Sequence, residues 1–176
     1  MPILTKKIDE KLKEKNLSRY KLSKLIDYKE STLNRIINGE QTLSKNVLEK
    51  IAPILGVSQE EIRGWILADK YPKEVLERAT QLKKEKLPEE SSLILTAKLD
   101  EILKSRNLSR TALSKLIKCS QGWLNEMIIG KESLSRNIIP KIAQALEISE
   151  DEIRSWIVAD KYSLEVLGMA MKEFFC

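Results

Sequence analysis

In the first half of the chain, apolar residues recur three and four positions apart, the spacing that gives a helix one buried face. Leu4, Ile8 and Leu12 predict a first helix that Thr5 caps and that ends near Asn16. Ser18 caps a second, whose Leu22, Leu25 and Ile26 share a face. The third runs from about Lys29 to Asn38, with Leu33, Ile36 and Ile37 inward and Gly39 as a left-handed stop. Ser44 opens a fourth helix carrying Val47, Leu48, Ile51, Ala52 and Leu55. A fifth starts at a capping box, Ser58 with Glu61, and places Trp65 on its apolar side. Pro72 suits the first turn of a sixth, through residues 73–86. Pro53 lies inside the fourth helix, where proline costs about 3 kcal/mol, so a kink or irregular turn is expected there and at Pro140.

The pattern then returns. Residues 4–79 align without a gap on residues 95–170, and more than half of the pairs are identical. "KNLSRYKLSKLI" answers "RNLSRTALSKLI", the capping box recurs as Ser149 with Glu152, and Trp156 repeats Trp65. A unit this long exceeds a solenoid repeat, so the expected architecture is all-α. It comprises two tandem domains of one fold, residues 1–88 and 89–176, each of five to six helices. "KEKLPEESS", with Pro88 as breaker, reads as the linker. The last helices are expected to cover their own domains or to form a dimer interface. The halves then fold alone, unless Val166, Leu167, Phe174 and Phe175 bury against the first unit.

Composition narrows the chemistry. Apolar residues make up 42% of the 176 positions and aromatic ones 5%, which suits Leu/Ile-rich helical packing. Histidine is absent, which removes the commonest general base and metal ligand together. Without a glycine-rich phosphate loop or a carboxylate cluster, no enzyme, metal or cofactor is expected. Cys119 and Cys176 stand too far apart for a disulfide framework or zinc site and read as free thiols. No apolar run approaches the roughly 20 residues of a membrane span, and "MPILTKK" is too short for a signal peptide. A soluble, cytoplasmic protein is expected. The net charge of +5 favours an acidic partner, most often nucleic acid.

Leu17-Ser18-Arg19, Leu22-Ser23-Lys24, Ser31, Leu33, Arg35-Ile36 and Asn38-Gly39 carry a motif that continues through Leu43-Ser44, Ile51-Ala52 and Leu55-Gly56-Val57-Ser58 to Glu61-Ile62. It resembles the lambda-repressor/Cro-like helix-turn-helix family over about residues 5–66, and again over 96–157. The resemblance implies that the third helix enters the major groove of double-stranded DNA. Glu30, Ser31 and Arg35 are the base contacts it implies, Arg35 donating to guanine O6 and N7 and Glu30 accepting from cytosine N4. Arg19, Lys29, Asn38 and Lys45, with Arg110 and Arg136 in the second copy, are assigned to the DNA backbone. Where the family usually has a turn glycine, this chain has Asp27 and Lys118. Lysine reaches the left-handed conformation at greater strain, so a more distorted second turn is expected.

The second copy has diverged where it matters. Gln121 suits adenine and Gly122 admits close backbone approach, while Glu126 replaces Arg35. Trp123, Met127 and Ile129 are expected to form an exposed apolar patch for a protein partner or a homodimer. Residues 1–88 hold 19 Lys/Arg against 13 Asp/Glu, and residues 89–176 hold 12 against 13. The first domain is therefore expected to be the main DNA reader of a prokaryotic or phage transcriptional regulator. The rival is a protein-interaction module, such as an antitoxin or regulatory subunit, that uses the fold without DNA.

Overall fold

The computed structural model describes residues 1–85, 93–132, 134–135 and 137–175. Among these the regular elements are helices: α1 Ile3–Glu14, α2 Arg19–Leu25, α3 Glu30–Ile37, α4 Lys45–Leu55, α5 Gln59–Lys70 and α6 Lys73–Lys84, then α7 Ile94–Ser105, α8 Arg110–Leu116, α9 Gln121–Ile128, α10 Ile139–Ala145, α11 Glu150–Lys161 and α12 Leu164–Lys172. Most of the expected linker, from Lys86 to Ser92, lies outside the described residues.

The chain forms two compact units, and their boundaries differ from the expected division at residue 88. One unit is Met1–Lys73 with Glu165–Cys176; the other is Glu74–Leu164. Each repeat keeps its first five helices and gives its last helix to the other unit. Val166 and Leu167 of α12 are buried, Phe174 is half-buried and Phe175 is exposed, all within the first unit.

In the first unit, Leu4, Ile8 and Leu12 of α1 meet Leu22 of α2, Leu33 and Ile37 of α3, the apolar face of α4, and Ile62 and Trp65 of α5 in one core. The faces are those that the three-and-four spacing picks out, except that Leu25, expected beside Leu22 and Ile26, is exposed at the end of α2. α4 shows which force wins locally: burying Val47, Leu48, Ile51 and Leu55 contributes roughly 6–12 kcal/mol, against about 3 for Pro53. The helix accordingly runs through Pro53 to Leu55. Its counterpart behaves differently. Pro140 is not interior: α10 begins at Ile139, so the proline occupies the first turn, where no N–H is required.

The serine N-caps follow the sequence. Ser18, Ser44, Ser58, Ser109, Ser120 and Ser149 each accept a backbone N–H as N-caps. The Ser58–Glu61 box is complete. In the second copy only the Ser149 half of the expected box is seen: Ser149 accepts the Glu152 N–H, and the Glu152 carboxylate lies 3.8 Å from Arg78 of α6. Thr5, expected as a cap, does not cap α1. That start is capped from a distance by Asp69 at the end of α5, which accepts from the Ile3 and Leu4 N–H groups at 2.6 and 2.9 Å. The Thr5 hydroxyl donates instead to the Ile37 carbonyl at the end of α3, at 2.8 Å. The second unit repeats both devices, with Asp160 on Ile94 and Leu95 and Thr96 on Ile128.

Candidate nucleic-acid interface

α2, a tight turn and α3 present the first surface. Ser23 is buried, and its small side chain donates to the Tyr20 carbonyl while α3 passes close by. The turn closes when Tyr28 N–H reaches back to the Ser23 carbonyl at 2.8 Å, with Asp27 left-handed at φ 51°. In the second copy Lys118 adopts φ 56° and Cys119 N–H bonds the Ser114 carbonyl at 2.9 Å. The expected distortion of the second turn is absent, because the same pair of backbone hydrogen bonds closes both turns.

From this frame α3 exposes Glu30, Ser31 and Arg35, while Leu33, Ile36 and Ile37 face the core. Arg35 is 64% exposed, with the Glu40 carboxylate 3.8 Å away. Weak pairing at that exposure leaves its five donors open to a ligand. α3 ends in a Schellman motif, with Glu40 N–H on the Arg35 carbonyl and Gly39 N–H on that of Ile36. Lys29 is exposed, as is Lys45, which lies 3.8 Å from Glu49.

Two arginines assigned to the DNA backbone, Arg19 and Arg110, find protein partners. Arg19 is bound by both oxygens of Asp9, at 2.8 and 2.6 Å, and its third nitrogen donates to Asn38 Oδ1 at 3.1 Å. The network ties the start of α2 to α1 and to the end of α3. Arg19 is therefore engaged by protein partners, while the Asn38 amide nitrogen, the group that could donate to a phosphate, takes no part in this network. Arg110 forms the same fork with Asp100, and that hydrogen bond holds its pKa above the ordinary value. Arg136 lies outside the described residues.

On α9, Gln121 and Gly122 are exposed, and a Cβ at Gly122 would meet nothing within 4 Å, so a ligand can approach the backbone there. Ser120 caps the helix through the Trp123 N–H at 3.2 Å, a bond that Lys29 does not make in α3. The expected apolar patch shrinks. Met127 is 1% exposed because it occupies the core position of Ile36 in the first copy. Such a volume-conserving exchange costs under about 1.5 kcal/mol, which explains its acceptance. Trp123 is half-buried, and of the three only Ile129 is exposed. Cys119 is half-buried in the turn, and burial pushes its thiol pKa up, away from the reactive thiolate.

The exchange of last helices also redistributes charge. The first unit holds 16 Lys/Arg against 12 Asp/Glu, and the second 15 against 14. The first unit thus keeps most of the basic excess of residues 1–88, and positions such as Arg35 and Glu126 sharpen the contrast between units. The sequence pattern gives Thr5 another role and leaves out Asp9, Asp69 and Lys50, whose ammonium caps the end of α2 through the Ile26 carbonyl. The available signal was their identity in both copies, as Asp100, Asp160, Thr96 and Lys141.

A buried small residue at a tight turn, followed by a short helix with one polar exposed face, defines a helix-turn-helix, and the chain contains two. The family model of the Cro/C1-type HTH DNA-binding domain matches residues 7–68 and again residues 98–159. The chain belongs to that family and carries two of its DNA-binding domains. No curated protein and no solved structure matches it. Among the described residues no helix is long and apolar enough to cross a membrane.

Proposed function

We propose that the chain is a sequence-specific regulator of transcription, of prokaryotic or phage type, whose first unit is the principal reader of duplex DNA. The observation that carries this reading is Arg35, held out from the solvent face of α3 at 64% exposure where the second copy has Glu126. Glu30 and Ser31 stand exposed on the same helix, suited to base edges, and Lys29 and Lys45 flank it as backbone contacts. In the second unit Gln121 and the open backbone at Gly122 make a divergent reader. Burial of Met127 removes much of the patch that favoured a protein-docking role for this surface.

Fluorescence anisotropy on duplexes selected from a random pool, across a salt series, tests the proposal. Affinity should fall steeply with salt, as counterion release requires. Arg35→Ala should weaken binding to the selected duplex by about 1–3 kcal/mol, with little change on random duplex, whereas Glu126→Ala should cost nothing. Absence of salt-dependent binding would leave the interaction-module reading in its place.

A further inference from the structure

Each compact unit is completed by a helix that belongs, by sequence, to the other repeat. In the first unit α12 buries Val166, Leu167 and Ala170. It approaches α5 so closely that a Cβ on Gly64 would lie 2.7 Å from Met169 Cβ and 2.9 Å from the Ala170 nitrogen. Just beyond it, Glu173 pairs with Lys7 of α1 at 3.0 Å. The two helices thus engaged lead to the recognition helix in series: Asp69 of α5 caps α1, and Thr5 of α1 fastens the last carbonyl of α3. In the second unit α6 buries Val75, Leu76 and Ala79. Its Lys83 donates to the Ala159 carbonyl of α11 at 2.8 Å, and Asp160 and Thr96 carry the hold onward to Ile128 of α9.

We propose that control of the two recognition helices is crossed: the last helix of the second repeat positions α3, and the last helix of the first repeat positions α9. α3 has eight residues, well short of the roughly 12–15 at which a lone helix holds together, so its orientation comes from what it packs on. Contiguous packed helices linked by hydrogen bonds transmit such a constraint. Residues of α12 are positioning residues for the first DNA-reading surface, although they follow the second in sequence. The proposal rests on the DNA-binding reading for its functional consequence; the crossing itself is readable without DNA.

The test uses the full-length chain with Leu167→Ala in α12 and, separately, Leu76→Ala in α6. Hydrogen exchange read by mass spectrometry should show amides of α1 and α3 exchanging about tenfold faster in the first variant, with α7 and α9 unchanged. The second variant should show the reverse. At temperatures where both remain fully folded, Leu167→Ala should weaken Arg35-dependent binding to the selected duplex about tenfold, and Leu76→Ala should not. Leu167→Met, which keeps the volume, should restore wild-type behaviour. Acceleration within each variant's own repeat, or equally in both units, overturns crossed control. So does unchanged affinity of folded Leu167→Ala, which would make α12 a stabiliser only. If either variant fails to fold, Val166→Ala and Val75→Ala make the same comparison with smaller cavities. A wild-type chain that binds no duplex while showing the crossed exchange pattern would sink the DNA reading and leave the crossing intact.

Discussion

Lys118 holds φ 56° at the turn between α8 and α9, a conformation that a residue with a Cβ reaches at a cost of about 1–2 kcal/mol. Asp27 does the same job in the first copy more cheaply, since its short polar side chain tolerates the left-handed region. Glu147, at φ 47°, stands where the first copy has Gly56, so the second repeat carries two costly left-handed residues. Lys118→Gly should therefore stabilise the protein by about 0.5–1 kcal/mol, read as a higher urea midpoint at unchanged slope. Asp27→Gly should gain less, and a fall in midpoint for Lys118→Gly would show the turn to be unstrained. At Arg19 and Arg110 the neighbours, not the residue type, decide the chemistry. A guanidinium forked by a carboxylate fixes helix geometry and is less available to phosphate.

Among the elements, α1 and α7 show how far from its own segment a helix can find its cap. Neither has a side-chain cap from the residue before it. Two N–H groups at each start are met by one aspartate, Asp69 or Asp160, some 65 residues on. A carboxylate there satisfies two orphan donors and faces the positive end of the helix dipole. Asp160→Ala should cost about 1–2 kcal/mol, the usual loss for an N-cap, and its effect on thermal unfolding checks this. A change within a few tenths of a kcal/mol would mean that water replaces the cap. Helix starts were legible in sequence wherever the cap is local, as at Ser18, Ser44 and Ser58. They were misread where the partner is remote, as at Thr5, because a long-range hydrogen bond leaves no trace in spacing.

For the chain taken entire, the exchange of last helices redraws the folding units. Glu74–Leu164 is a continuous stretch that holds α7 to α11 with nearly all of α6, its covering helix. Residues 89–176 retain those five helices but not α6, whose Val75, Leu76 and Ala79 are buried. A fragment spanning residues 74–164 should melt cooperatively, while 89–176 should melt at lower temperature or without a sharp transition. Losing three buried apolar side chains removes several kcal/mol of about 5–15 in total, enough to unfold a small domain. Circular dichroism on the two fragments decides it, and equal cooperativity would show that the covering helix is dispensable.

Helix-forming segments, the buried face of α3, the serine caps and the repeated motif were all set by spacing along the chain. Each depends on residues within a turn or two of one another, which is why they could be read from the sequence. The exposed trio Glu30, Ser31 and Arg35 follows from the same periodicity, once Leu33, Ile36 and Ile37 are turned inward. Three features came only from the packed chain. Arg19 and Asp9 met across two helices, Asp69 reached back to α1, and α6 and α12 changed places. The exchange was invisible because the two last helices share the same buried pattern, Val-Leu followed by alanine three residues on, as Val75, Leu76 and Ala79 and as Val166, Leu167 and Ala170. Homologous helices suit homologous seats, so local pattern states that a helix is buried, and three-dimensional packing states against which unit.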